Sequence, residues 1–200
     1  MKKHLILPIT LACAFSSFTH AAEPATAGTY NAGVQISVGN IDHDSFSSDQ
    51  DSAAQAMFYV DYYFKDGWAI ETAVNSGSNV QDWICENVDD TDNYCTSSDE
   101  NNPNSFKSDL DFTNFIVALR FDREINQNVF VYGKLGAQYF DYEMSEGSNV
   151  FEEDDGTGIF SELGLQYQWS NNVNINVGYQ YIGMNDLSTS SFTVGLGYRF

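Results

Sequence analysis

The chain has 200 residues, with 28 Asp plus Glu against 8 Lys plus Arg and a formal net charge of −20. That balance excludes nucleic acid as a partner, because a phosphate backbone asks for a basic face. The 15 Phe, 12 Tyr and 3 Trp exclude a disordered chain, which would be poor in aromatic rings.

The first residues read as targeting. Lys2 and Lys3 make a basic start, Leu5 to Phe18 an apolar run, and Thr19-His20-Ala21 supplies small residues around a cleavage point. Residues 1–21 are therefore expected to be a signal peptide, with cleavage after Ala21 or, as the alternative, Ala22, and residues 22–200 to be one domain. Cys13 follows Thr10-Leu11-Ala12, a poor match to a lipoprotein signal. No later segment approaches the ~20 continuous apolar residues of a membrane helix. The mature chain is thus either soluble beyond the inner membrane or enters a membrane as strands.

Period-two alternation with aromatic and β-branched residues predicts strands at about 29–39, 54–64, 67–78, 108–121, 129–142, 157–169, 173–184 and 189–200. Connections at Lys65-Asp66, Asp122 to Asn128 and Ser170 to Asn172 are short. Those at 40–53, 79–107 and 143–156 are long and acidic, and the one near Asn185 to Ser188 is brief. An even strand count, with loops sorted by length onto two ends, predicts an eight-stranded antiparallel up-and-down transmembrane β-barrel, all-β in class. Both termini are expected in the periplasm and the long loops outside.

Each strand has two unlike faces. In the second, Ala56, Phe58, Val60, Tyr62 and Phe64 oppose Gln55, Met57, Tyr59, Asp61 and Tyr63. In the last, Phe192, Val194, Leu196, Tyr198 and Phe200 oppose Ser191, Thr193, Gly195, Gly197 and Arg199. The bulky apolar face is expected against lipid and the polar, glycine-rich face inside, where room is short. Phe64, Trp68, Phe121, Trp169 and Phe200 share the outer face beside short turns or the C-terminus, so they should form a periplasmic aromatic girdle.

On these segments, and on the ending Ser191-Phe192-Thr193-Val194-Gly195-Leu196-Gly197-Tyr198-Arg199-Phe200, the chain resembles the small eight-stranded outer-membrane proteins. These are the OmpA-like transmembrane barrels and the wider outer-membrane β-barrel group. The resemblance runs from Thr29 to Phe200. It implies a bacterial outer-membrane location, and an assembly signal at Tyr198 and Phe200 read by the barrel-assembly machinery. With the sequence ending at the last strand, the peptidoglycan-binding domain of full-length OmpA proteins is expected to be missing. The chain looks more like the free-standing barrels of surface attachment, colonisation or envelope integrity.

Catalysis finds no support. After signal cleavage His43 is the one remaining histidine, and its neighbours Asp42, Asp44 and Ser45 cannot all aim at one point from a polar loop. Asp89-Asp90-Thr91-Asp92-Asn93 lacks the Gly turn and distal Glu of a calcium-binding helix–loop–helix site, and Glu152-Glu153-Asp154-Asp155 reads as a solvated charge run. No cofactor, resident metal or catalytic residue is expected. Cys13 leaves with the signal, so the mature chain keeps Cys85 and Cys95, an even pair in the longest loop of a chain sent to an oxidising compartment. A disulfide is expected between them.

Six ionisable residues fall on the inward face: Asp61, Glu71, Arg120, Lys134, Glu162 and Arg199. Acids and bases balance in that set. Pairing Phe64 with Trp68 sets Asp61 opposite Glu71, with Arg120 or Arg199 to relieve their repulsion and Lys134 to pair Glu162. The functional expectation is a closed, non-enzymatic barrel displaying acidic loops, with a small channel as the alternative and a lipid-modifying enzyme third. Its partners would be outer-membrane lipid, lipopolysaccharide reached through cations, and a host or environmental surface ligand.

Overall fold

A computed structural model of the chain describes residues 25–43, 52–80, 83–89, 92–96, 105–146 and 149–200. The segment read as a signal peptide, with Cys13, lies outside them. The strands are β1 (Tyr30–His43), β2 (Ser52–Lys65), β3 (Trp68–Asn79), β4 (Trp83–Asp89), β5 (Asp92–Thr96), β6 (Ser105–Asn126), β7 (Val129–Glu146), β8 (Asn149–Gln168), β9 (Val173–Met184) and β10 (Leu187–Arg199). Eight of them close an antiparallel barrel. β1 pairs with both β2 and β10, and β3 pairs with β6 across the β4–β5 excursion. Closure leaves no open edge in the wall, which a strand in lipid cannot tolerate.

The alternation has the inverted sense of a membrane barrel. Leu135 is 70% exposed and Phe192 is 74% exposed on the outside, while Gln55, Asp61, Asn174 and Gln180 are buried inside. Apolar surface on this scale is favourable against lipid and costly against water.

Two connections expected to be loops are strand. The pairing of β7 with β8 runs up to Glu146 opposite Asn149, through much of the segment read as the third long loop. At the other end Arg123 lies opposite Val131, so only Gln127 and Asn128 join β6 to β7. Alternation continues through both segments, but charge breaks the apolar pattern, with acids on the outer face of β7 and β8 and with Asp122 inside and Arg123 outside on β6, and that break mimics a loop. Within 79–107, β4 and β5 form a hairpin that pairs with the start of β6, Trp83 opposite Ser108. As a result β6, β7 and β8 have 22, 18 and 20 residues, whereas β3 and β9 have 12. One side of the barrel therefore projects beyond the rest, at the end away from the short turns.

The first short turn differs in detail from expectation. Lys65, not Phe64, lies opposite Trp68, and a bulge between Tyr63 and Lys65 absorbs the extra residue. Below the bulge Tyr63 faces Ala69, so Asp61 still faces Glu71. Gly67, with φ of 71°, supplies the left-handed conformation that closes the turn.

Candidate functional site

The interior is layered, and the layer nearest the short turns is charged. Inward positions on β2, β3, β6, β7 and β8 bring Asp61, Glu71, Arg120, Lys134 and Glu162 together, all buried. Arg120 donates from Nη1 to Asp61 Oδ2 at 3.3 Å, from Nε to Asp122 Oδ1 at 2.9 Å and from Nη2 to Gln166 Oε1 at 2.6 Å. Lys134 Nζ lies 2.8 Å from Glu71 Oε2 and 3.1 Å from Glu162 Oε2. The Tyr132 hydroxyl donates to Glu162 Oε1 at 2.5 Å. Arg120 also sits 4.7 Å over the Tyr132 ring, and Lys134 5.1 Å from the centre of Tyr59. Arg199 is buried beside Tyr63, its guanidinium 5.5 Å from the ring.

Two expectations change here. The cation at Glu71 is Lys134, which bridges Glu71 and Glu162, while Arg120 serves Asp61. The expected balance of acids and bases also fails, because Asp122 belongs to the interior. It is 7% exposed and accepts from both Arg120 and the Tyr63 hydroxyl. Reading 122–128 as a connection hid it, since a residue in a turn has no assigned face.

Above the charges lies a layer of amides and hydroxyls. Gln180 Nε2 reaches Ser37 and Gln55, Gln55 Nε2 reaches Thr189 and Ser191, and Gln35 Nε2 reaches down to Glu162. Two tyrosines cross this interior against paired glycines. Gly33 faces Gly197, and Gly164 faces Gly178. A Cβ at any of these four would come within 2.5–2.8 Å of the Tyr59 or Tyr132 hydroxyl, so only glycine admits the rings.

The projecting end was not foreseen. Its interior is apolar: Ile41, Leu110, Phe112, Phe140, Tyr142, Met144, Phe160, Ile182, Met184 and Leu187 pack in one cluster. Here the outer face is acidic. Asp111 lies opposite Glu143, Glu143 opposite Glu153, and Asp141 opposite Asp155. The run Glu152 to Asp155 is split by the strand. Glu153 and Asp155 face out, Glu152 accepts from the Tyr142 hydroxyl at 3.4 Å, and Asp154 accepts from Asn185 at 2.9 Å. Burial, with the charges of Glu152 and Asp154, pushes the Tyr142 hydroxyl above its ordinary range. Among the described residues no group of three or more His, Cys, Asp or Glu could hold a metal ion.

At the short-turn end the outer face carries Phe64, Trp68, Phe121, Trp169 and Phe200, with Trp68 and Phe121 rings 4.8 Å apart. Tyr30, Tyr62, Tyr167 and Tyr198 complete the ring: Tyr30 lies 5.0 Å from Tyr62 and 5.9 Å from Phe200. These tyrosines lie on the outward face of their strands, two residues from a girdle ring at Tyr62, Tyr167 and Tyr198, so alternation alone would place them there. Inside that rim, the segment before β1 crosses the mouth. Gly67 N donates to Ala25 O, Gly28 N to Tyr63 O, and Ala27 N to Asp66 Oδ1 at 3.0 Å, while Ala25 packs with Tyr63 and Ala69. In the other projecting element, β4 and β5 set Cys85 directly opposite Cys95, and His43 ends β1 opposite Leu187.

A closed barrel with an apolar belt and a polar interior is the outer-membrane solution, and the profile of the "Outer membrane protein beta-barrel domain" matches residues 9–200. The chain belongs to that family, and its place is the bacterial outer membrane. A curated relative, the attachment invasion locus protein of Yersinia pseudotuberculosis, is 30% identical over 92 residues, 46% of this chain and 50% of that protein. The chain thus spans about half the length of the curated relative it matches. Among solved structures, Ail of Yersinia pestis aligns with a TM-score of 0.56 at 19% identity, over 88% of this chain and 100% of that one. Neisserial surface protein A aligns at 0.65 and 12% identity, over 86% of this chain and 99% of that one. OprG from Pseudomonas aeruginosa aligns at 0.60 and 15% identity, over 90% and 99%. At these identities the structural likeness speaks for the fold.

Proposed function

We propose that this protein is a closed, non-enzymatic surface barrel that presents its acidic projecting end to the outside, in adhesion, colonisation or envelope integrity. The observation that carries this reading is the pairing of a filled interior with a charged wall built from β6, β7 and β8. Among the described residues, an apolar cluster above a salt-bridged plug supports an interior closed to ligands, so the wall is where an outside ligand would be met. The attachment invasion locus relative supports an attachment role. Yersinia pestis Ail was crystallised with sucrose octasulfate, a heparin analogue. A polyanion of that kind suits this chain poorly, because Asp111, Asp141, Glu143, Glu153 and Asp155 would repel it. The partner class is instead a cationic surface, or lipopolysaccharide reached through divalent cations.

The test is attachment. Cells of a non-adherent host displaying this barrel should bind target surfaces, and binding should fall when 79–107 is replaced by a short turn. Equal binding by host, wild type and loop-replaced barrel overturns the reading. Steady ion currents across a planar bilayer would instead promote the small-channel alternative. An epitope tag within 79–107 should be labelled on intact cells, which tests the orientation, with both termini in the periplasm.

In the same reading Cys85 and Cys95 close a disulfide that holds the β4–β5 hairpin. Their direct register supports it, and cross-strand Cα spacings of about 4.5–5.5 Å fall inside disulfide geometry. Both thiols of unreduced, denatured protein reacting with a maleimide would exclude it. Tyr198 and Phe200 serve as the assembly signal, and removing Phe200 should slow insertion by the barrel-assembly machinery.

A further inference from the structure

Among the described residues, the charged layer buries the carboxyl groups of Asp61, Glu71, Asp122 and Glu162 with only Arg120, Lys134 and Arg199 as cations. The acids outnumber the bases by one. An uncompensated charge in so poorly solvated a space is costly, and a carboxyl group answers by keeping its proton.

The donors are shared unequally. Asp122 takes Arg120 Nε and the Tyr63 hydroxyl, and Glu162 takes Lys134, Tyr132, Gln35 and Thr193. Asp61 uses one oxygen only: Oδ2 accepts from Asn31 Nδ2 at 2.8 Å and Arg120 Nη1 at 3.3 Å, while Oδ1 is buried with no hydrogen-bond partner. Glu71 Oε2 has the Lys134 ammonium at 2.8 Å, while Oε1 is likewise buried and bare. Asp61 and Glu71 are direct cross-strand partners on β2 and β3, both 0% exposed on the inner face. Cβ atoms at such positions are about 4.5–5.5 Å apart, which lets the two carboxyl groups meet.

We propose that Asp61 and Glu71 hold one proton between them at neutral pH, as a proton-binding site inside the barrel. One carboxyl keeps its O–H and donates to the bare oxygen of the other. Both bare oxygens are then satisfied and the charges of the layer balance. The proton comes from water as the barrel folds and returns to water at alkaline pH. Facing the pair are Asn31 from β1, Tyr59 and Tyr63 from β2, Arg120 and Asp122 from β6, Tyr132 and Lys134 from β7, Glu162 from β8 and Arg199 from β10. Arg120 and Lys134 are each already divided between two carboxylates. The native barrel therefore binds one more proton than the unfolded chain, whose carboxyls are free to ionise. Stability should fall as pH rises from the ordinary carboxylate range to the point where the pair lets go.

Infrared spectra of the full chain refolded in lipid bilayers test this through the carbonyl stretch of protonated carboxyls, from neutral to alkaline pH. Wild type should show that band at neutral pH and lose it on alkaline titration. Glu71→Gln and Asp61→Asn should lack it at neutral pH, and Asp155→Asn, on the outer wall, should keep it. Glu71→Gln should also unfold at a midpoint that no longer drops with rising pH, since its amide supplies the missing donor. No band in wild type at neutral pH, or a band that persists in both inner variants, overturns the proposal. If the variants do not refold, the wild-type titration decides it alone.

Discussion

The spanning part of the wall and the part that projects beyond it are made from the same strands with opposite patterning. Along β7 the outward residues run Leu135, Ala137, Tyr139, then Asp141 and Glu143, while the inward ones run Lys134, Gln138, then Phe140, Tyr142 and Met144. The outer face of β8 changes at the same level, from Ile159 opposite Ala137 to Asp155 opposite Asp141, while its inner face has already passed from Glu162 to Phe160 opposite Gly136. Below the change the barrel is apolar outside and polar within, as lipid requires. Above it the barrel is acidic outside and apolar within, as water requires. The exchange of faces marks where the solvent changes, and it divides the interior into a plug held by directional charges and a plug held by packing.

The largest expected effect falls in the charged plug. Arg120→Ala leaves Asp61 and Asp122 buried without their shared cation and should cost about 3–5 kcal/mol in urea unfolding from lipid vesicles. Adding Asp61→Asn and Asp122→Asn should recover much of that loss, because the penalty is stranded charge. Recovery of none would mean that the plug is held by volume, and the contrast between the two halves would collapse. In the apolar plug Phe160→Ala should cost about 3 kcal/mol, with no polar substitution able to restore it.

The charged half was readable in the sequence because its two faces differ. Gln166 against Leu165, or Asn174 against Ile175, tells inside from outside, and Asp61 opposite Glu71 followed from counting back across one turn. The apolar half was hidden because the segment 143–156 reads as an acidic loop, and within the charged half β6 gives little contrast of its own, since Phe115, Ile116, Val117, Ala118 and Leu119 look alike whichever way they point. Counting by twos from Arg120 puts Ile116 inside and Phe115 outside, and register with the partner strands agrees. Asp122 was missed for a third reason: the strand continued past the point where the apolar face stopped. Who carries which carboxylate is a matter of side-chain reach between non-adjacent strands, and alternation does not encode it.

The glycine pairs allow an intermediate test. Gly164→Val places a side chain where the Tyr132 hydroxyl lies, so Tyr132 must leave Glu162 or the strands must part. The expected loss is about 1–3 kcal/mol, read as a lower urea midpoint with the fold retained. Gly133→Ala, on the outward side of β7, should be close to neutral, since a Cβ there meets only the Leu163 side chain at 3.9 Å.

The smallest effect should have the opposite sign. On the outer face of the projecting wall Glu143 has Asp111 as its cross-strand partner on one side and Glu153 on the other. Like charges placed directly opposite one another in a sheet repel, and the apolar cluster on the inner face fixes the register, so the strands cannot slip to separate them. Glu143→Gln keeps the size of the side chain and removes both repulsions, and should raise stability by about 0.2–1 kcal/mol at low ionic strength. Because these groups stand in water, salt should shrink the gain, leaving little of it when the screening length falls to about 3 Å near 1 M salt. The same substitution in the charged plug behaves differently: a Gln at Glu162 would strip Lys134 of a partner at 3.1 Å and destabilise the barrel at any salt. Unfolding midpoints for the two variants at low and high salt therefore separate water-facing from buried carboxylates. A gain at Glu143 that survives high salt would mean the acidic wall is sheltered from solvent and does not face the outside.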